Sequence, residues 1–271
     1  MNYFRNERVL VTGGSSGIGL ATARLLRQSG AHLLLVARDE AKLAQAKAEL
    51  DALASGAEPV RTLSLDLRDR AAVDAKLPGV LAGFPVDVLI SNAGVVMPGR
   101  FLELPDGQFD DMMQTNFLGP VHLIRTVLPG MIERKHGHVA MMSSFAGLIG
   151  IFGYTAYSAS KFAIRGFAQA LRCELKPLGI RVSVCYPPDT ETPQLKFEDQ
   201  YKPAETRAIA GNVKALSAEY VANALVSGMA KGQFQIVPSA SARVQEWAYR
   251  MLPGIAHAMF DSDIRKAGAQ R

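Results

Sequence analysis

Only two cysteines occur in 271 residues, Cys173 and Cys185. They fall in a predicted helix and a predicted strand, which fits reduced, buried thiols and argues against a disulfide framework. Long apolar runs are also missing. No uninterrupted stretch reaches the ~18 residues of a spanning helix, and the opening residues carry no apolar segment of the signal-peptide kind. The expected location is therefore cytoplasmic. Five histidines show no metal-ligand spacing; His136 and His138 sit at a predicted turn and receive no role, so no metal is expected. The formal charge is +5. Basic residues are nowhere blocked together with aromatics, which excludes the usual nucleic-acid footprint and leaves an anionic cofactor or a membrane surface. Disorder is excluded as well, since 48% of residues are hydrophobic and 20% charged.

What the chain does have is alternation. Short aliphatic runs at 9–12, 32–37, 60–65, 87–91, 138–143, 181–186 and 234–237 read as strands. Helical patterns at 40–53, 70–81, 108–133 and 157–176 lie between them. Strands with helical crossovers give an α/β fold, a parallel sheet covered on both faces. No linker or repeat divides residues 1–271, so a single domain is expected. The alternation fails at about 188–211, where Pro, Thr and charge suggest a lid, and after 238, in a C-terminal extension at about 239–271.

Gly13-Gly-Ser15-Ser16-Gly17-Ile18-Gly19 joins the first strand to a helix that runs to Gln28 and is closed by Gly30. Glycines there let the backbone approach a pyrophosphate, and the helix start offers free N–H groups. Farther on, Tyr157 and Lys161 stand one helical turn apart on one face. An ammonium beside a phenol favours the phenolate and lowers its pKa from near ~10. Ser144 ends the preceding strand and can point at the same reacting oxygen. Strand alternation sends Ser143 to the other face. Tyr154 has Ser158 rather than a cation four residues on, so it is the poorer candidate.

Thr12-Gly-Gly-Ser-Ser-Gly-Ile-Gly19, Asn92-Ala93-Gly94, Asn116-Phe-Leu-Gly119, Ser144 and Tyr157-x-x-x-Lys161 together resemble the short-chain dehydrogenase/reductase family, over roughly residues 6–240. The resemblance implies a Rossmann-type domain with a seven-stranded parallel sheet. It also implies a proton relay through Asn116, Ser144, Tyr157 and Lys161, in which Tyr157 donates the proton, Ser144 polarises the carbonyl, and Lys161 also bonds the nicotinamide ribose. Asn116 would hold a water that reconnects Lys161 to solvent; otherwise it is a helix-kinking residue with its amide on the backbone. Asn92, Ala93 and Gly94 would let the backbone pass beneath the cofactor. A homo-dimer or homo-tetramer is implied, with helices 108–133 and 157–176 between subunits.

Cofactor choice rests on the end of the second strand. Ala37 occupies the place of the acid that an NAD site uses, and Arg38 follows, suited to grip the 2′-phosphate of NADPH. Asp39 could instead neutralise Arg38, and Ser15 and Ser16 stand where a second basic residue is common. Asp66-Leu67 resembles the pair that holds the adenine edge, or Asp66 caps the next helix. The resemblance implies that Pro187, Thr190 and Thr192 continue the cofactor site after the sixth strand; which threonine meets the carboxamide stays open.

The run Pro187-Pro188-Asp189-Thr190-Glu191-Thr192-Pro193, the later Lys202-Pro-Ala-Glu-Thr-Arg207 and Gly153-Tyr-Thr-Ala-Tyr-Ser-Ala-Ser-Lys-Phe-Ala-Ile-Arg-Gly166 resemble one subgroup, the 3-ketosphinganine (3-dehydrosphinganine) reductases. This implies an NADPH-dependent ketone reductase acting on a lipid-like amino ketone. Asp189 or Glu191 is then expected to pair with the substrate's 2-ammonium; the alternative is that Asp189 only caps its own turn. Val244, Trp247, Ala248 and Met251, with Arg243 and Arg250, form an apolar stripe edged by basic charge, suited to an anionic bilayer or to packing on the core or a partner subunit. The competing readings are a reductase of another hydrophobic ketone, steroid-like or aliphatic, and a non-catalytic NADPH sensor. An intact Ser144, Tyr157, Lys161 set argues against the sensor.

Overall fold

The computed structural model describes residues 2–54, 56–211 and 214–268. Six parallel strands, β1 (Arg8–Thr12), β2 (His32–Ala37), β3 (Arg61–Ser64), β4 (Val88–Ser91), β5 (His138–Met142) and β6 (Arg181–Cys185), form the body of one sheet. The two-residue strands β7 (Thr190–Glu191) and β8 (Leu216–Ser217) pair with each other, and β9 (Gln235–Ile236) completes the sheet in the order β3-β2-β1-β4-β5-β6-β9. Every pairing in it is parallel.

Period-two geometry decides which side each residue faces. Val9, Val11, Leu33, Leu35, Val88 and Ile90 pack with α1 (Gly17–Gln28) and α2 (Glu40–Ala52) on one side. Leu10, Leu34, Leu89, Val139 and Val182 meet α3 (Arg70–Ala82) on the other. With both faces covered, the central strands have no solvent side, which is why they read as unbroken aliphatic runs. α1 stops where expected: Gly30 takes φ +83°, and the Ala31 N–H reaches back to the Leu26 carbonyl at 3.1 Å.

The long helix expected over 108–133 is broken. α4 (Gln108–Met113) and α5 (Gly119–Arg134) are separated by a π turn, Gln114–Leu118, that contains Asn116. α6 (Thr155–Leu175) begins two residues before Tyr157. The lid segment holds β7, α7 (Pro193–Glu198) and α8 (Ala204–Ala210); α9 (Ala218–Ala230) then returns to the sheet. After β9 come two helices where one was expected, α10 (Ala240–Met251) and α11 (Pro253–Gly268). Cys185 is buried in β6, but Cys173 is exposed on α6, contrary to expectation. His138 opens β5 rather than lying in a turn; it is buried between Tyr3 and Ser183, and burial takes its pKa down to about 3. Among the described residues no helix is long and apolar enough to cross a membrane.

Candidate active site

The strand order reverses between β1 and β4, so their carboxyl ends part and leave a crevice at that edge. Asn92 and Ala93 donate their backbone N–H groups to the Thr12 hydroxyl at 2.9 and 3.0 Å, and the Asn92 side-chain amide donates to the Thr12 carbonyl at 3.1 Å. The crevice floor is thereby laced. Gly13 adopts φ +65° and Gly17 φ +53°, conformations costly for any residue with a Cβ. At Gly19 a Cβ would lie 2.2 Å from the Gly13 carbonyl oxygen. Ser16 precedes α1 in extended conformation and makes no side-chain cap, so the first-turn N–H groups stay available to an anion. The loop thus fits a pyrophosphate.

Tyr157 lies in the first turn of α6 and Lys161 one turn on, both lining the cavity with Ser144. Lys161 is 3% exposed, donates to the Met142 carbonyl at 3.0 Å, and is lowered by burial to about 8. Its Nζ is 5.5 Å from the Tyr157 ring centre. Burial raises Tyr157 above the ordinary phenol range, with the Ser144 hydroxyl pulling the other way. The expected lowering by Lys161 is not what the structure has: burial drives each group toward its neutral form. A phenol that keeps its proton is, however, the form a reduction consumes. Ser143 also borders the cavity, but its hydroxyl is committed to the Lys161 carbonyl at 2.9 Å.

Asn116 is 1% exposed, and the π turn aims its amide inward. Its oxygen accepts from Val95 N–H at 2.8 Å; its nitrogen donates to the Val95 carbonyl at 2.9 Å and to Ser160 Oγ at 3.0 Å. Ser160 in turn donates to the Tyr157 carbonyl at 2.7 Å. A Cβ on Gly94 would sit 3.1 Å from Asn116 Oδ1 and 3.4 Å from Lys161 Nζ, so Gly94 keeps these two groups facing one space. Asn116 is backbone-bonded and, with Lys161, borders the space beside Gly94.

The cavity has a volume of about 440 Å³ and is reached by Gly13, Ser16, Gly17, Ile18, Asn92, Ala93, Gly94, Pro187, Asp189, Thr190 and Thr192 as well as Ser144, Tyr157 and Lys161. Pro187 accepts from the Phe145 N–H at 2.8 Å. Thr190 turns its hydroxyl to the Pro188 carbonyl at 2.8 Å, while Thr192 caps α7 and brings its methyl 3.2 Å from where a Gly17 Cβ would be. Ser15, Gly19 and Asn116 are not in the lining, though Gly19 lies against Gly13 and Asn116 against Gly94. Arg38, Asp66 and Leu67 lie farther along the same strand edge. Arg38 is exposed at the end of β2; Asp39 does not neutralise it, but caps α2 and pairs with Lys42. Asp66 holds Arg68 at 2.7 Å, and Arg68 bridges on to Asp111; Asp69, not Asp66, caps α3. Leu67 is buried against Gly119.

The two carboxylates expected to receive a substrate cation are placed differently from each other. Glu191 is exposed and lies outside the cavity lining. Asp189 reaches the cavity rim, but its carboxylate accepts from Lys202 at 3.2 Å and its side chain is half exposed. The Asx cap is not formed either, because Thr190 makes that turn. Sequence reasoning missed Glu198, a buried lid carboxylate that receives the Tyr154 hydroxyl at 3.2 Å. Its spacing of four from Lys202 in a short helical run was the available signal. It also missed the second C-terminal helix, whose Met259 and Phe260 wall the cavity beside Ala248 and Tyr249 of α10. The rest of the stripe is not packed on the core: Val244 is 65% and Trp247 61% exposed. Glu7, Asp87 and His136 converge at the opposite edge of the sheet, where Arg134 already pairs with Asp87.

Residues 7–202 match the short chain dehydrogenase family. A 3-dehydrosphinganine reductase of Danio rerio is 44% identical over 229 residues, 83% of this chain and 69% of that protein. The 3-ketodihydrosphingosine reductase of Bos taurus is 43% identical over the same shares. Among solved structures, a short-chain dehydrogenase from Sphingobium yanoikuyae in complex with NADPH superposes with a TM-score of 0.78 at 26% identity, covering 94% of this chain and 95% of that one. With its laced crevice, its glycine turn and its Ser144–Tyr157–Lys161 group, the chain is an oxidoreductase that belongs to the short-chain dehydrogenase/reductase family.

Proposed function

We propose that this protein reduces the ketone of 3-ketosphinganine to the alcohol, with NADPH as reductant. The observation that carries the reading is the kinship to reductases of that sphingoid ketone, at 44% identity over most of the chain. The bound cofactor supplies a hydride to the carbonyl carbon. Gly13, Gly17 and the start of α1 would hold its pyrophosphate, Asn92 to Gly94 its underside, and Arg38 the 2′-phosphate that marks NADPH.

Tyr157 then gives its proton to the carbonyl oxygen as negative charge develops there, so the oxygen becomes a hydroxyl and the tyrosine a phenolate. Ser144 donates to the same oxygen and stabilises the developing charge. Lys161 returns a proton to Tyr157, and Asn116, facing Lys161 across Gly94, connects that lysine to solvent. The apolar wall made by Ile149, Ile151, Ile209 and Phe260 suits an alkyl chain.

The test is NADPH oxidation with 3-ketosphinganine, run beside NADH and an uncharged long-chain ketone. Selective turnover with NADPH is expected. Turnover of the plain ketone alone would retire the sphingoid substrate, and absence of any turnover despite NADPH binding would retire the enzyme reading.

The reading extends to a bilayer. α10 carries Val244, Trp247 and Met251 on an exposed row beside Arg243 and Arg250, while its Ala248 and Tyr249 face the cavity. Such a helix rests on anionic lipid with the substrate mouth beside it. The protein should pellet with phosphatidylserine vesicles, and Trp247→Glu should not; no pelleting of the wild type retires the contact. Half-exposed Phe109 on α4 and Phe162 on α6 support a homo-oligomer through these helices, which sedimentation equilibrium decides.

A further inference from the structure

A substrate with an ammonium one carbon from its ketone needs a carboxylate close to the proton donor. Of the two acids the sequence offered, Asp189 already pairs with Lys202 and Glu191 lies outside the cavity lining. Asp199, the other acid nearby, is half exposed, outside the cavity lining, and holds Lys202 at 2.7 Å.

Glu198 differs from all three. It is 8% exposed, it lines the cavity with Tyr154 and Tyr157, and its Oε2 accepts from the Tyr154 hydroxyl at 3.2 Å. The Tyr154 and Tyr157 rings stand 5.7 Å apart, so the carboxylate is one side chain away from the proton donor. Among the described residues no ion pair joins Glu198 to Lys202, whose ammonium goes to Asp189 and Asp199. Two acids share Lys202 before Glu198 is counted, so an ionised Glu198 adds negative charge to this wall, where the lining's other lid cation is the exposed Lys214.

Resting on the substrate reading above, we propose that Glu198 receives the 2-ammonium group of the substrate and fixes which way the amino ketone enters. Tyr154 is the positioning residue that holds the carboxylate toward the cavity. Burial holds the Glu198 carboxyl up to about 7, which costs little to reverse when a cation arrives beside it. A pocket of this kind rejects an analogue without the cation less by clash than by leaving its own acid unpaired.

The experiment compares wild type, Glu198→Gln and Glu198→Asp, each loaded with NADPH, on 3-ketosphinganine and on the same chain with hydrogen in place of the amino group. Glu198→Gln should lose about 10–100-fold in kcat/KM on the amino ketone and little on the desamino ketone, the range for a hydrogen bond to a charged group. Glu198→Asp should recover part of that loss. Parallel losses on both ketones, or none on either, would overturn the inference. Equilibrium dialysis of dodecylamine against dodecanol reads the same contact without turnover. Wild type should favour the amine and Glu198→Gln should not; equal amine binding by both overturns it. If wild type reduces only the desamino ketone, the substrate reading falls, and the dialysis alone decides whether Glu198 binds an ammonium.

Discussion

Replacing Glu198 by Gln should stabilise the cofactor-free protein, and more so in alkali. The carboxyl moves from 4.5 in an unfolded chain to about 7 in the fold, chiefly through burial, with Asp189 and Asp199 adding to the rise and Lys202 and the Tyr154 hydroxyl opposing it. A raised acid helps the fold while it stays protonated, below the unfolded value, and that help is lost as pH rises through about 7. Fully ionised, it costs the fold about 3 kcal/mol, since each pH unit of displacement is worth about 1.4 kcal/mol. Near pH 5.5 the folded carboxyl is still mostly protonated, and the cost shrinks to about 1.5 kcal/mol. Glutamine keeps an oxygen for Tyr154 but has no charge to bury. Urea melts near pH 5.5 and near pH 8.5 should therefore show Glu198→Gln gaining about 2 kcal/mol more in the alkaline series. A gain independent of pH, or a loss at both, would refute the claim that an ionised carboxylate is buried here at a cost.

Other expectations are simpler to check. Tyr157→Phe should lower kcat by about 10²–10⁴-fold while NADPH fluorescence still reports binding, because the ring stays and only the proton is lost. Arg38→Ala should weaken NADPH by about tenfold or more and leave NADH nearly unchanged; equal loss on both would remove the 2′-phosphate role. Gly19→Ala forces a Cβ within 2.2 Å of the Gly13 carbonyl oxygen, so the loop must move. Its NADPH affinity should collapse and its melting midpoint fall by about 1–3 kcal/mol equivalent, read by titration and denaturation.

The sequence carried those parts of the site that depend on local rules. Glycines at 13 and 17 are required by backbone angle, Gly19 by close approach, and Tyr157 with Lys161 by helical repeat; each left a mark at its own position. Glu198, by contrast, acquires its meaning from Tyr154, forty-four residues away, and from the burial that the lid and C-terminal helices impose. Asp189 looked available because its partner Lys202 comes thirteen residues later, across α7. The helix at 108–133 read as continuous because apolar periodicity does not register one extra residue in a turn. α11 was missed because its packing against the lid, not its own pattern, keeps it in place.

That extra residue has a consequence of its own. A π turn is an α-helix with one residue too many, so the inward aim of Asn116 is written in the length of the chain as well as in the identity of its amide. Deleting Phe117 or Leu118 would restore an even helical repeat and swing everything upstream, Asn116 included, by about 100° against α5. The Val95 N–H and carbonyl would lose both partners at once, and Ser160 the amide nitrogen that now reaches it. Here a count of residues holds a functional group in place, and no substitution at a neighbouring site can stand in for it.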